Sequence, residues 1–257
     1  LATCIFDNAA DLARDPGLAA LFLPGGEGLR SGARLVQSDY AKSLRLIAKD
    51  GPAALYDGPL GKALSDFMAA NGGLIDQADL AVYKVATREP VRGTYRGHEI
   101  VGPPPPSSSG VHIVQMLNIL EGFDIGGLGF GSADAVHLLA EALKIAFADR
   151  AVATADPAFV PVPVARLIDK GYAAERRALI EMGRARSWQA GLSGGESADT
   201  THVTVADAAG NVVSTTQTIN GLFGACTQIP GTGMLCNKYM FNFDPHPGRA
   251  LSIAPGK

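Results

Sequence analysis

Apolar positions recur with helical spacing through the first third of the chain, and the period changes to two near Lys84. Over "DYAKSLRLIAKDG", Tyr40, Leu44 and Ile47 fall on one face, with Ser38 as the expected cap and Gly51 as the stop. A second helix is predicted over "GPLGKALSDFMAANGG", gathering Leu60, Leu64, Phe67 and Met68. Asp76 is placed to cap a short helix ending near Tyr83. From there "KVATREPVRGTYRGHEIVG" reads as short strands joined by a tight turn at Arg96-Gly97. Pro103 to Pro106 cannot donate backbone hydrogen bonds and predict an extended, polyproline-like run.

Helical spacing then returns. Ser109 or Gly110 opens an apolar helix over His112 to Glu121. Ser132 precedes the strongest periodic run, in which Val136, Leu139, Ala140, Leu143, Ala146 and Phe147 are expected to face the core. His137 and Asp149 fall on its flanks, where ordinary surface or satisfied roles are expected. Pro161 and Pro163 interrupt the chain before two short helices ending near Met182. The stretch "GRARSWQAGLSGGESAD" has little periodicity and reads as an exposed, flexible loop. Thr201 to Asp207 and Val212 to Ile219 then predict a hairpin across "AAGN", with a further strand over "GTGMLCN". No repeat or separating linker divides the chain, so the predicted class is α+β, helices first and strands last.

Composition narrows the functions. A chain of 257 residues can bury a real core, and 47% hydrophobic with 18% charged residues reads as globular and soluble. A net charge of -3, without any Lys or Arg run, gives no footprint for a nucleic acid. No apolar stretch approaches the roughly eighteen residues that suggest a membrane span. Cys4, Cys226 and Cys236 lack CxxC spacing, so neither a disulfide framework nor a zinc site is expected, and no cofactor is implied. The chain opens at Leu1 without a signal-peptide pattern, and an N-terminal segment is expected to be missing.

The candidate chemistry sits at "ESADTTHVTVADAAGNVVSTTQTIN". A threonine hydroxyl is a weak nucleophile until a base takes its proton, and no GxSxG elbow is present to supply the usual serine alternative. A threonine at a chain terminus carries its own base, an α-amino group with an unperturbed pKa of about 7.7–8.0. Thr200 follows a Gly/Ser loop that could accommodate a cut. By spacing alone, Thr200, Thr201 and His202 read as an ordinary strand start, Thr218 as cross-strand packing and Asn220 as a turn cap.

The longer pattern carries more. "DTTHVTVADAAGNVVSTTQTIN", then "FG" and "PGTGMLCNKYMFNFDPHPG", resembles the start of the small subunit in the γ-glutamyltransferase (γ-glutamyltranspeptidase) family. "LVQSDYAKSLRLIAKDGPAALYDGPLGKAL", "VGPPPPSSSGVHIVQMLNILEGFD" and "HLLAEALKIAFADRAVATADPAFVPVP" resemble its large subunit, so the resemblance covers essentially the whole chain. It implies an N-terminal-nucleophile hydrolase with an αββα sandwich. Residues 1–199 would belong to the large-subunit-like part and 200–257 to the small-subunit-like part of one composite domain. It implies self-cleavage between Asp199 and Thr200, after which Thr200 is the nucleophile and its freed amine the base. Thr218 matches the threonine that supports the nucleophile, and Asn220 a substrate-contacting asparagine. His202, two residues along the strand from Thr200, is expected to hydrogen-bond structurally. The implied reaction moves a γ-glutamyl or related acyl group from a small-molecule amide to Thr200, then to water or an amine. The resemblance also implies large and small subunits from one precursor, in a periplasmic or secreted location, with the cytoplasm and a homo-oligomer left open.

Three departures qualify the match. The arginine that holds a substrate α-carboxylate is expected before Leu1, and the oxyanion-hole glycine pair beyond Lys257, so the chain reads as a fragment. The serine pair of the family segment L-S-S-M-S-P meets "ALSIAP" here, which keeps Ser252 and puts Leu251 in place of the first serine. The family segment N-N-Q-M-D-D-F reads Asn237 to Phe243, with Tyr239 for the glutamine and Asn242 for the aspartate that pairs with a substrate α-amino group. A neutral amide accepts a hydrogen bond from an ammonium but supplies no countercharge. Tyr239, Asn242 and Ser252 therefore join the candidate substrate contacts. Asn242 favours a glutaryl- or cephalosporin-type acylase or another small-acid amidohydrolase as the alternative, with an unprocessed, inactive binding protein as the reading from another class.

Overall fold

Local signals set several helix boundaries in the computed structural model, which describes residues 1–153, 155–188, 200–248 and 251–255. The first helices are α1 (Ala2–Asp7), α2 (Ala9–Leu12), α3 (Pro16–Phe22), α4 (Ser38–Asp50), α5 (Ala53–Tyr56), α6 (Pro59–Ala70) and α7 (Gln77–Val82). Strands β1 (Val91–Tyr95) and β2 (His98–Gly102) precede α8 (Ser109–Leu120), α9 (Ile125–Leu128), α10 (Ala133–Ala153), α11 (Val164–Leu167) and α12 (Lys170–Arg177). Strands β3 (Thr201–Ala206), β4 (Val212–Gln217), β5 (Gln228–Ile229) and β6 (Met234–Leu235) follow. The architecture is mixed helix and strand, and these strands pair in sequence as three antiparallel two-stranded ladders.

Several caps stand where the sequence puts them. Asp76 and Asp79 form a reciprocal capping box at α7. Ser132 Oγ accepts the Ala135 N–H at 3.1 Å where α10 begins. Arg96 and Gly97 take φ of 48° and 84°, the left-handed pair that a two-residue hairpin turn needs. The proline run is not extended throughout. Ser107 N–H donates to the Pro104 carbonyl at 3.1 Å and closes a turn over Pro105 and Pro106.

The chain divides into two compact units: Leu1–Val85 with Glu196–Phe241, and Ala86–Gly195 with Asn242–Lys257. In the first, Ile5, Leu12, Leu18, Phe22, Leu23 and Phe223 form the core. Phe22 and Phe223 meet edge to face with ring centroids 5.2 Å apart. The cap of α4 is Gln37 rather than Ser38, and its apolar face is not the buried one: Tyr40, Leu44 and Ile47 are exposed. Ser43 is buried instead, donating its hydroxyl to the Thr232 carbonyl at 2.6 Å. Close approach selects this face. At Gly233 a Cβ would lie 2.4 Å from Tyr40 N, so only glycine admits the helix there.

In the second unit α8 is central. Val111 and Val114 pack with Val91 and Leu167, while Ile119 and Leu120 pack with Leu138, Ala142, Ile145 and Ala173. At Gly93 a Cβ would lie 2.4 Å from Val114, so the β1–β2 hairpin lies tight on the helix. The face of α10 differs from the expected one. Of the expected residues Ala146 is buried and Ala140 half-buried, but Val136, Leu139, Leu143 and Phe147 are exposed, and Ala135, Leu138, Ala142 and Ile145 are buried instead. The helix is apolar almost all round, so periodicity cannot choose its face; packing on α8 does.

Several polar groups inside this unit bond one another, while Asn118 Oδ1 and Arg176 Nε are buried without a hydrogen-bond partner among the described residues. His112 Nδ1 lies 2.8 Å from Gln115 Oε1, and Gln115 Nε2 donates to Asp149 at 2.5 Å. Tyr172 and Arg176 also donate to Asp149, and His137 Nε2 contacts the Glu181 carbonyl at 3.0 Å, the satisfied roles expected for both residues. Glu141, 1% exposed, bonds Lys144 and the Trp188 indole N–H, each at 2.7 Å. Burial pushes its carboxyl up, but these donors and the Arg186 N–H outweigh that and hold it below the usual range. The second short helix ends at Arg177, ahead of the expected stop near Met182. Of the expected flexible loop, residues 189–199 lie outside the described residues.

Candidate active site

The β3–β4 hairpin positions the candidate nucleophile. Its register pairs Thr201 with Gln217, His202 with Thr216 and Thr204 with Ser214. Continuing that register by one rung sets Thr200 opposite Thr218, just outside the paired strands. Because side chains alternate along a strand, Thr200, His202 and Thr204 share one face with Thr218, Thr216 and Ser214. Val203 and Val205 share the other face with Val213. Both strands are exposed on both faces among the described residues, apart from a half-buried Thr215.

Thr200 is exposed and Thr218 half-buried. Thr218 Oγ1 accepts the N–H of Asn220 at 3.1 Å. Asn220 is buried, takes a φ of 54° and donates its side-chain amide to the Lys238 carbonyl at 3.2 Å. Asparagine tolerates this left-handed conformation better than most residues. Lys238 N–H returns a bond to the Ile219 carbonyl at 2.8 Å, so the turn after β4 and the segment before Tyr239 are stitched together. Tyr239 opens a single 3-10 turn, Tyr239–Asn242, and its N–H is held by Asn237 Oδ1 at 2.9 Å.

Thr200, Thr218, Asn220 and Tyr239 thus belong to the first compact unit, while Asn242 and Ser252 belong to the second. Asn242 is exposed. Ser252 is buried, donates its hydroxyl to the His246 carbonyl and forms a parallel bridge with Asp244. Asp199 lies outside the described residues. A cavity of about 530 Å³ in the first unit is lined by Asp11, Arg14, Asp15, Asn71, Cys226 and Lys238 among others. None of its lining residues is an expected site residue, so it does not mark the acyl site.

His202 makes structural hydrogen bonds, as expected, within a polar ladder whose other members were not singled out. His202 Nδ1 lies 2.7 Å from Thr216 Oγ1, and Nε2 lies 3.0 Å from Thr204 Oγ1 and 3.1 Å from Ser214 Oγ. The signal was present: every second residue from Thr200 to Thr204, and from Ser214 to Thr218, carries a hydroxyl or an imidazole.

Known proteins are similar to this chain. The chain is 81% identical to the acylase ACY 1 proenzyme of Pseudomonas sp. (strain SE83), covering 100% of this chain and 46% of that protein. It is 44% identical to the glutathione hydrolase proenzyme of Escherichia coli (strain K12), over 89% of this chain and 40% of that one. The chain therefore spans about half the length of the curated relatives it matches. The cephalosporin acylase of Bacillus halodurans superposes with a TM-score of 0.82 at 28% identity, covering 100% of this chain and 46% of that one. The γ-glutamyltranspeptidase of Helicobacter pylori gives a TM-score of 0.68 at 35% identity, covering 72% of this chain and 55% of that one. The profile described as gamma-glutamyltranspeptidase matches residues 1–257, and the chain belongs to that family.

Proposed function

We propose that the full-length protein is an autoprocessing amidohydrolase and acyltransferase with Thr200 as its nucleophile. The observation that carries this reading is the hairpin register, whose next rung faces Thr200 with the hydroxyl-bearing Thr218. Maturation begins when the Thr200 hydroxyl attacks the Asp199 carbonyl. The C–N bond breaks as an ester forms, the α-amino group is released, and water opens the ester to leave a carboxylate on Asp199. In turnover the freed amine takes the hydroxyl proton as Thr200 attacks the acyl carbon of a small-molecule amide. The leaving amine departs with a proton, and water or an acceptor amine removes the acyl group.

Thr218 steadies the Thr200 hydroxyl, and Asn220, Tyr239, Asn242 and Ser252 contribute to substrate binding. The complete protein builds an αββα sandwich, in which residues 1–199 and 200–257 contribute to one composite domain as parts of its large and small subunits. That the similar proteins are named proenzymes supports two subunits from one precursor. Within this reading, Asn242 favours an acylase of glutaryl-type amides over a γ-glutamyl-specific enzyme. The acylase name of a relative at 81% identity points the same way.

Mass measurement of the full-length expressed protein tests the reading. A fragment beginning at Thr200 is expected from the wild type, none from Thr200→Ala, and slow release from Thr200→Ser. A wild type that stays one chain overturns the assignment in favour of an unprocessed binding protein.

A further inference from the structure

His202 meets three hydroxyls at once, on both strands of the hairpin. Nδ1 reaches its cross-strand partner Thr216 at 2.7 Å, while Nε2 reaches Thr204 at 3.0 Å and Ser214 at 3.1 Å. The Thr204 and Ser214 hydroxyls are themselves 3.2 Å apart. This network spans the rungs His202–Thr216 and Thr204–Ser214, which follow on the same face from the position that register assigns to Thr200 and Thr218.

The Asp207–Asn211 turn sets the register at one end of the hairpin, and Thr200 lies beyond the other end. Both faces of the hairpin are largely exposed among the described residues. A slip of one residue would carry every side chain to the opposite face and part Thr200 from Thr218. A cut before Thr200 leaves one residue between the new chain end and the first paired residue, Thr201. Chain ends fray unless they are tied down.

We propose that His202 is a positioning residue that clamps the start of β3 to β4, keeping Thr200 opposite Thr218 after the preceding peptide bond is cut. The clamp rests on the reading of Thr200 as nucleophile. It differs from a general base in a testable way. Each partner of the ring is a hydroxyl, which can donate or accept. Neutral imidazole and imidazolium are therefore held by the same contacts, whereas a base is lost on protonation. Neither β3 nor β4 carries a charged side chain; the nearest in sequence to His202 are Asp199, three residues before it, and Asp207 at the turn.

The test uses self-cleaved full-length protein. His202→Ala is expected to lower kcat about ten-fold while KM moves less than about two-fold, the cost of one lost hydrogen-bonding centre. His202→Gln, which still offers a donor and an acceptor, is expected to recover most of that loss and to reproduce the wild-type pH profile. Thr216→Val, which deletes only the partner hydroxyl, is expected to slow turnover too, and to add little when combined with His202→Ala. Wild-type rates in His202→Ala and Thr216→Val overturn the clamp alone. A Gln variant as slow as the Ala variant, with one limb of the pH profile lost, also overturns it and makes His202 an acid or base. A wild type that never cleaves overturns the nucleophile reading and the clamp together.

Discussion

Ser43 and Thr232 are joined by a buried hydrogen bond of 2.6 Å between residues 189 positions apart, with Thr200 lying between them in the chain. Asp15 makes a second link of this kind, accepting the N–H of Gln228 at 2.9 Å with the carboxylate whose other oxygen caps α3. Both links join segments upstream and downstream of the proposed cleavage point within one compact unit. The two fragments are therefore expected to stay associated after cleavage. Ser43→Ala removes a donor from a buried carbonyl and should cost about 1–2 kcal/mol. Denaturant unfolding measures this, and an unchanged midpoint would show that the contact contributes nothing.

Gly233 and Gly231 separate two kinds of glycine requirement. Both take a left-handed φ, 69° and 74°. A Cβ on Gly233 would lie 2.4 Å from Tyr40 N and 2.7 Å from Tyr40 Cα, whereas Gly231 has nothing within 4 Å. Gly231→Ala therefore meets only backbone strain, about 1 kcal/mol. Gly233→Ala adds a clash with helical backbone and should cost roughly 2–4 kcal/mol. Equal losses in the two variants would mean that α4 yields without cost.

Features closed within a few residues were legible in the sequence. The Asp76 cap, the Ser132 cap and the Arg96-Gly97 turn all bond or bend locally, so residue type and spacing suffice. The faces of α4 and α10 were not legible, because each helix carries apolar residues on more than one side. A distant partner chooses among them: Thr232 and Gly233 for α4, and α8 for α10. In the candidate site, the turn at "AAGN" fixed which residues of β3 and β4 pair. The division of Asn242 and Ser252 from Thr200 and Thr218 depends on tertiary clustering that no local pattern encodes.

Thr218→Ala deletes the hydroxyl together with the γ-methyl of a half-buried residue outside the hydrophobic cores, so the fold should persist. Both self-cleavage and turnover are expected to slow by about ten-fold, equivalent to roughly 1.4 kcal/mol of barrier. The Asn220 N–H also loses its acceptor at 3.1 Å, so circular dichroism and melting must accompany the kinetics. Undiminished activity in cleaved Thr218→Ala returns the residue to packing.

Tyr172 gives a pH signature in the second unit. Burial, then its hydrogen bond to Asp149 and that carboxylate's charge, push the phenol from 10.0 up to about 12. Its folded value lies above the unfolded one, so the neutral phenol's contribution to stability is complete below about pH 10. It is lost as pH rises through about 12. Ultraviolet titration of wild type minus Tyr172→Phe should isolate one late-ionising phenol. A difference curve centred on the ordinary value would remove Tyr172 from the Asp149 network.

Acyl preference is the sharpest consequence of "NKYMFNF". Resemblance to the family sets Asn242 where an aspartate balances the ammonium of a γ-glutamyl group. Asn242 can accept a hydrogen bond from that ammonium but provides no opposing charge, and charge-assisted bonds are worth roughly 1.5–3 kcal/mol against about 1 for neutral ones. Glutaryl amides lack the ammonium and lose nothing by comparison. The ratio of kcat/KM for glutaryl over γ-glutamyl anilides is therefore expected to exceed that of aspartate-bearing relatives. Asn242→Asp should shift it toward γ-glutamyl by about ten-fold, or roughly 1.4 kcal/mol of differential transition-state binding. Because Asn242 is exposed at the end of a 3-10 turn, the substitution adds charge without burying it. Parallel kinetics on the two anilides decide the point. A wild type that strongly prefers γ-glutamyl substrates, unaltered by Asn242→Asp, would place recognition of the α-amino group on another residue.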